Sequence, residues 1–287
     1  MTGSKTRLVG CARRFPWTLI GALAAALPGG QGALAQATSD LVAKDALRVC
    51  ADPNDLPYSN EQHEGFENKI ADLLGKDLSL PVQYVWFPQI VGFVRNTLRA
   101  GQCDLVMGTV AGDEIMQTTT PYYYTSYVAI FRNDKPVDFT NFDNPQLKPL
   151  HIGVVSRTPP ADLLVRHGLM ANAKPYALTV DTRYESPTHQ MVSDVASGAI
   201  DAGLLWGPIA GYYIHRDHLP LTMTLLKSEP GAPRMTYHVA MGVRANEPDW
   251  RRLLNAAIHR HEPEITGILR NYGVPLLDEQ GKPLSSP

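Results

Sequence analysis

The sequence predicts an α/β protein of two lobes, each with a mixed, mainly parallel sheet, joined by two hinge segments. Three observations carry this expectation. Residues 47–107 alternate strand and helix patterns in the order β-α-β-α-β. The pattern restarts at His151, after a long β-prone run. Residues 98–105 and 195–202 share one layout, helix-Gly-x-x-Asp-strand. Strands that alternate with helices are joined by crossovers, which give parallel sheets covered by the helices.

Leu47-Arg48-Val49-Cys50-Ala51 reads as a buried strand that runs into a polar loop, residues 52–58, stiffened by Pro53 and Pro57. Gly65 opens a helix, on which Phe66, Ile70, Leu73 and Leu74 make one apolar face. Pro81 and Pro88 bound the next strand. Val91, Val94 and Leu98 predict a second helix, ending near Gly101. Residues 104–107 form the third strand and end in the small residues Gly108 and Thr109. Residues 122–131 predict a long strand leaving the first lobe.

In the second lobe, residues 151–155 are a strand, and Ser156-Arg157-Thr158-Pro159-Pro160 opens a helix with proline near its first turn. Residues 176–180 are the next expected strand. Met191, Val192 and Val195 lie on a helix that ends at Gly198, and residues 201–206 form another strand. Residues 235–243 alternate like a return strand. Trp250, Leu253, Leu254 and Ile258 mark a closing helix interrupted at Pro263. The expected lobes are residues 36–130 with 241–287, and residues 131–240. Two hinged lobes around a cleft are a design that closes on a ligand.

The N-terminus reads as a targeting segment, residues 1–35. Lys5, Arg7, Arg13 and Arg14 precede an apolar stretch too short for a comfortable membrane span, and Ala33-Leu34-Ala35 fits a small-x-small cleavage site. The alternative is an uncleaved anchor. Cleavage near Ala35 places the mature chain in the periplasm. The whole chain has 26 basic and 28 acidic residues, and the signal carries four basic residues and no acidic ones, which leaves a mature net charge of −6. That balance gives no electrostatic footprint for nucleic acid or an anionic membrane.

Cys50 and Cys103 remain after cleavage. An even count in an oxidising compartment favours a disulfide. Parallel strands would set Cys50 near the end of one and Cys103 near the start of the other, which favours two free thiols. Both readings stand on the sequence. The histidine pairs His215/His218 and His259/His261 have no carboxylate arrangement that specifies a metal. No nucleophile elbow, P-loop or dinucleotide fingerprint is present.

Residues 45–275 together resemble the type II periplasmic binding protein fold. Cys50-Ala51-Asp52-Pro53-Asn54, Leu56-Pro57-Tyr58-Ser59-Asn60, Gly65-Phe66-Glu67-Asn68-Lys69-Ile70, Gly92-Phe93-Val94-Arg95-Asn96-Thr97-Leu98, Cys103-Asp104-Leu105-Val106-Met107-Gly108 and Thr119-Thr120-Pro121-Tyr122-Tyr123 resemble a narrower group. These are the MxaJ/XoxJ-type proteins associated with PQQ-dependent methanol dehydrogenases. The resemblance implies a non-catalytic periplasmic protein, without a cofactor, that assists maturation or activation of a calcium- or lanthanide-type dehydrogenase. Binding proteins for amino acids usually carry an Arg after the third strand to clamp the ligand carboxylate and an Asp on the second lobe for its amine. Here Gly112-Asp113-Glu114-Ile115-Met116-Gln117 has no base, and Trp206 stands at the second point. A solute receptor for a small non-amino-acid ligand is the competing reading, and an enzyme on the same fold is a third.

Ligands of open α/β sheets bind at the carboxyl ends of the strands. That rule makes Asn54, Asp55 and Tyr58 candidates for the cleft, against a plain turn role. Gly108 and Thr109 allow close backbone approach, or simply make an exit turn. Trp86, Phe87, Tyr123 and Tyr124 are an expected aromatic wall, against core packing. Ser156, Arg157 and Thr158 precede a helix N-terminus that suits an anion, or serve as a cap. Trp206 is expected to face the cleft from the second lobe.

Overall fold

The computed structural model describes residues 41–284. The expected signal segment and its cleavage point lie outside them. Strand β1 (Leu47–Ala51) has a parallel neighbour on each side. Such a strand is covered on both faces, and Leu47, Val49, Cys50 and Ala51 are all buried. The loop after it forms a small hairpin, β2 (Asn54–Asp55) against β3 (Ser59–Asn60). Helix α1 (Phe66–Leu78) follows. Its first N–H groups donate to that loop, Phe66 N to Pro57 O at 2.8 Å and Glu67 N to Tyr58 O at 3.0 Å. A side chain at Gly65 would overlap the Tyr58 backbone. The close approach therefore needs glycine, and it sets Tyr58 beside Glu67.

Strand β4 (Val82–Trp86) is the outer neighbour of β1. The helix expected over Val91, Val94 and Leu98 is reduced to one turn, α2 (Phe93–Asn96). Gly92 has φ +97° and Thr97 leaves helical backbone, so the apolar spacing is realised in turns and Val91 is exposed. Cover for this face of the sheet comes instead from Cys50, Phe93, Leu98, Cys103 and Val106. The Cys50–Cys103 disulfide closes that cluster, with a Cα–Cα distance of 5.5 Å. In register, Cys50 lies opposite Val106 of β5 (Leu105–Val110). The chain turns just before β5, and the turn returns Cys103 to bonding range, which strand geometry alone does not provide.

Asp104 anchors this corner. It is fully buried and receives Arg48 Nε at 2.7 Å and Arg244 Nη2 at 2.5 Å. Burial pushes its carboxyl up, but hydrogen bonds from Arg48 and Arg244 outweigh burial and hold it below the usual carboxylate range. Asp201, at the matching place in the other lobe, accepts from His151 N at 2.8 Å. The shared Gly-x-x-Asp layout is thus one device used twice, a carboxylate tying the start of one strand to its neighbour.

After the short β6 (Gln117–Thr118), strand β7 (Tyr123–Arg132) crosses between the lobes. The second lobe then runs β8 (Ile152–Val155), α3 (Pro159–Arg166), β9 (Lys174–Tyr176), α4 (Pro187–Ser197), β10 (Ala202–Trp206), α5 (Gly207–Arg216) and β11 (Leu221–Leu225). Strand β12 (Thr236–Val243) returns the chain, and α6 (Pro248–Arg260) and α7 (Glu262–Asn271) close it. Pro263 falls in the first turn of α7, where a missing N–H costs nothing, so it starts a helix rather than breaking one. The first sheet has the order β4-β1-β5-β12-β7, and the second continues β7-β10-β8-β9 with β11 on the other side of β7. Residues 123–126 of β7 pair with β12, while residues 128–132 pair with β11. Sheet partners therefore change near Tyr127, a few residues ahead of the lobe boundary read from the sequence.

The strand expected at residues 176–180 ends at Tyr176, because Ser156 N to Tyr176 O at 2.9 Å is its last bond to β8. Residues 177–182 leave the sheet as a loop. One large core lies under α1, α6 and α7 in the first lobe, around Phe66, Ile70, Leu74, Trp250 and Leu254. Two cores cover the faces of the second sheet, one around Leu163, Leu164 and Leu204, the other around Met191, Val195 and Leu205.

Candidate functional site: a cleft of aromatic rings and carboxyls

The cleft lies where the strand ends of both lobes meet, beside the crossing strand β7. It has two adjoining compartments, of about 370 Å³ and about 500 Å³. Tyr58, Gln89, Tyr127, Leu178, Trp206 and Ile209 line both. The first lobe contributes the β1 loop with Asn54, Asp55 and Tyr58, the first turn of α1 with Glu67, and the end of β5 with Gly108 and Thr109. The second contributes Thr158, the loop beyond β9, and the β10–α5 corner with Trp206.

Tyr123 lines the cleft, and Tyr124 does not. Neighbours on a strand face opposite sides, so Tyr123 and Tyr127 share the cleft face. Tyr124 instead packs against His238 and donates to Glu279 at 3.2 Å. Trp86 and Phe87 are also outside the cleft. Trp86 ends β4 at the outer edge of the sheet, away from the hinge, and Phe87 follows it. Trp86 stacks on Tyr84, and Phe87 joins the disulfide cluster. The aromatic wall is built from other residues. The rings of Tyr127, Trp206 and Tyr237 pack edge to face, with centroids 4.9–6.0 Å apart.

The expected anion site before α3 does not reach the cleft as a set. Thr158 lines it, while Ser156 and Arg157 do not. Pro159 and Pro160 occupy the start of α3 and remove two N–H donors an anion would need. Thr158 Oγ1 donates back to Val155 O at 2.6 Å, and Arg157 turns in left-handed backbone at φ +61°.

Hydrogen bonds span the lobes at the mouth, two of them through Thr182. Thr182 Oγ1 donates to Asp52 Oδ1 at 2.6 Å, and Asn54 Nδ2 donates to Thr182 O at 2.8 Å. Asp52 also accepts from Asn54 N and Gln89 N. The loop that left the sheet after Tyr176 is thereby held across the opening.

The electrostatics are one-sided. None of the described residues lining either compartment is Lys or Arg. Burial and the nearby Asp52 push Asp55 up to about 7. Burial and Asp55 push Glu67 up to about 8. His189, stacked on Tyr213 at 4.1 Å, is held below its usual range by burial and by Arg216. Glu67, Gln89, Tyr127 and Tyr237 also line the cleft and were not among the residues the sequence pointed to. Glu67 had a signal, since it follows Gly65-Phe66 at a helix start that the β1 loop had to approach.

The sequence pattern of the bacterial extracellular solute-binding proteins, family 3, matches residues 47–273. The chain belongs to that family. Protein MoxJ of Methylorubrum extorquens is 31% identical over 246 residues, covering 80% of this chain and 81% of MoxJ. Protein MoxJ of Paracoccus denitrificans is 28% identical over 263 residues, covering 86% of this chain and 95% of that one. The crystal structure of the periplasmic binding protein XoxJ from Methylobacterium extorquens AM1 superposes with a TM-score of 0.70 at 36% identity, over 82% of this chain and all of XoxJ. The protein is therefore similar to MoxJ and XoxJ and has the two-lobed periplasmic binding-protein fold. Among the described residues no helix is long and apolar enough to cross a membrane.

Proposed function

We propose that this protein is a non-catalytic partner of a PQQ-dependent methanol dehydrogenase, of the calcium or lanthanide type, and that it assists the maturation or activation of that enzyme in the periplasm. The observation that carries the reading is kinship with MoxJ and XoxJ over four-fifths of the chain, joined to a cleft lined by no Lys or Arg among the described residues. An α-amino acid brings a carboxylate, and a lining without Arg or Lys offers it no charged partner. On this reading, residues 1–35 deliver the chain to the periplasm and are removed there.

Contact with the dehydrogenase takes place at the cleft and its rim. Asn54, Asp55, Tyr58, Gly108, Thr109, Tyr123, Thr158 and Trp206 supply the lining. The segments that line it also carry exposed apolar side chains, Val91 beside Gln89, Val110 after Thr109, Leu178, and Tyr184 beyond Thr182. Apolar groups around a concave site suit a protein partner.

The test deletes the gene and measures holo-dehydrogenase activity, then complements with the natural chain, Trp206→Ala or Val91→Asp. Activity should fall in the deletion strain and return with the natural chain, and both variants should restore it only partly. Normal dehydrogenase assembly and activity in the deletion strain would overturn the proposal. Full rescue by both variants would move the contact off the cleft and its rim.

A further inference from the structure

Glu67 carries this inference. It is only 5% exposed, and its carboxyl lines the larger compartment. The carboxyl has no hydrogen-bond or ion-pair partner among the described residues, although its N–H is engaged by the β1 loop. Buried carboxyls are normally paired, because an unpaired one forfeits solvation and gains nothing in return. Gly108 lines the same compartment, and a Cβ there would overlap Glu67 Oε1, so the absence of a side chain at Gly108 is what lets the carboxyl sit in this position. The chain thus retains a carboxyl in the wall of a cavity.

What surrounds the carboxyl defines the partner. The groups that bear on Glu67 are Asp55 and the hydroxyls of Tyr58, Tyr84, Tyr122 and Tyr123. None of them is a cation. The aromatic faces of Tyr58, Tyr127, Trp206 and Tyr237 complete the lining. Carboxyl oxygens and aromatic faces share one preference, a positively charged group that gives up its water. An anion would meet two carboxyls and, among the described lining residues, no Lys or Arg. A neutral apolar guest would leave Glu67 unpaired.

We infer that the cleft is a receptor for an organic ammonium group, paired to the Glu67 carboxylate and enclosed by the rings of Tyr58, Tyr127, Trp206 and Tyr237. The ammonium arrives without a neighbouring carboxylate, as on an alkylamine or on the side chain of a lysine. If it belongs to a partner protein, the inference rests on the dehydrogenase reading above. If it belongs to a free amine, it stands without that reading. The carboxyl is neutral below about 8 in the unliganded chain, so a bound ammonium draws a proton off it.

The experiment follows Trp206 fluorescence and calorimetric heat in the full mature protein. The probes are n-butylammonium, tetramethylammonium and Nα-acetyl-lysine amide, with n-butanol and butyrate as uncharged and anionic controls. Saturable binding of an ammonium probe, with butanol and butyrate at least about tenfold weaker, is expected. Glu67→Gln, checked for folding by circular dichroism, should lose about tenfold or more in affinity, as expected for a charge-assisted contact. Trp206→Phe, which keeps an aromatic face, should lose less than Trp206→Ala. Saturation by the simple amines assigns the source to a free amine, and saturation by the lysine amide alone assigns it to a protein side chain. Both outcomes support the inference. Equal binding of butylammonium and butanol, unchanged affinity in a folded Glu67→Gln, or no binding of any ammonium probe would overturn it. None of these results depends on dehydrogenase activity, so the deletion experiment can fail while this one succeeds.

Discussion

Replacing Glu67 by Gln tests the electrostatics of the cleft without any ligand. Burial, helped by Asp55, raises this carboxyl from its ordinary 4.5 to about 8 in the folded protein. An acid whose folded pKa is raised binds more protons folded than unfolded between the two values, so stability falls as pH rises through that window. At 1.36 kcal/mol for each pKa unit, the full penalty above pH 8 is on the order of 5 kcal/mol, and about 3 kcal/mol of it develops between pH 6 and pH 9. Gln has nearly the same shape and no charge to desolvate. The variant should escape this loss and gain about 3 kcal/mol on the natural chain between the two pH values. In a chain of this size that is roughly 6–12 °C in melting temperature. The assay is urea unfolding at pH 6 and pH 9, in both proteins, followed by tryptophan fluorescence. Asp55 titrates in the same window and is coupled to Glu67, so its change belongs to the difference, while groups remote from Glu67 titrate equally in the two chains and cancel. Parallel stability profiles from pH 6 to pH 9 would refute the reasoning, since they would mean that Glu67 is not held protonated in the fold.

Replacing Cys50 and Cys103 together by Ser opens a loop of sequence separation 53 and should cost about 4 kcal/mol on the chain-entropy account. Denaturant midpoints measure this, and two free thiols in unreduced protein from the periplasm would contradict the bridge. Asp104→Asn leaves the buried Arg244 facing one carboxylate fewer and should destabilise by about 3–5 kcal/mol, and a loss under 1 kcal/mol by the same measurement would contradict the corner anchor. His167, between Glu229 at 2.9 Å and Asp143 at 2.7 Å, has its pKa raised chiefly by Glu229. Its contribution should be complete below its ordinary 6.5 and fade as pH rises through the folded value, while His167→Gln should lack that dependence. Histidine NMR titration reads the pKa directly, and a value at or below 6.5 would refute this.

Local pattern determined the elements whose ends are set by their own residues. The apolar spacing of Phe66, Ile70 and Leu74 made α1, and proline at the first turn started α3. The order of strands and helices made two lobes, and the likeness of short segments pointed to the MoxJ- and XoxJ-like group. Pattern failed where a backbone choice overrode it. Gly92 in left-handed backbone at one end and Thr97 outside helical backbone at the other cut the second helix to one turn. The strand after α3 stopped at Tyr176 once its pairing with β8 ran out, and the freed loop became the one that Thr182 ties across the cleft.

The site divides in the same way. That Asn54, Asp55, Tyr58, Gly108, Thr109 and Trp206 line the cleft was legible because the cleft forms at strand ends, and a strand end can be read from sequence. The places of Trp86, Phe87 and Tyr124 were not, because an aromatic side chain in a strand carries no mark of which face or which edge it occupies. That depends on the position of β4 at the rim of its sheet and on the alternation of β7 across the hinge. Glu67 shows the limit most plainly. Its charge and its place near a helix start are properties of the sequence. Its isolation, with no Lys or Arg among the described residues lining the cleft and with its carboxyl packed against Gly108, exists only after α1, β5 and the β1 loop have packed together, because burial and the absence of a partner belong to the assembled cleft and to no single segment.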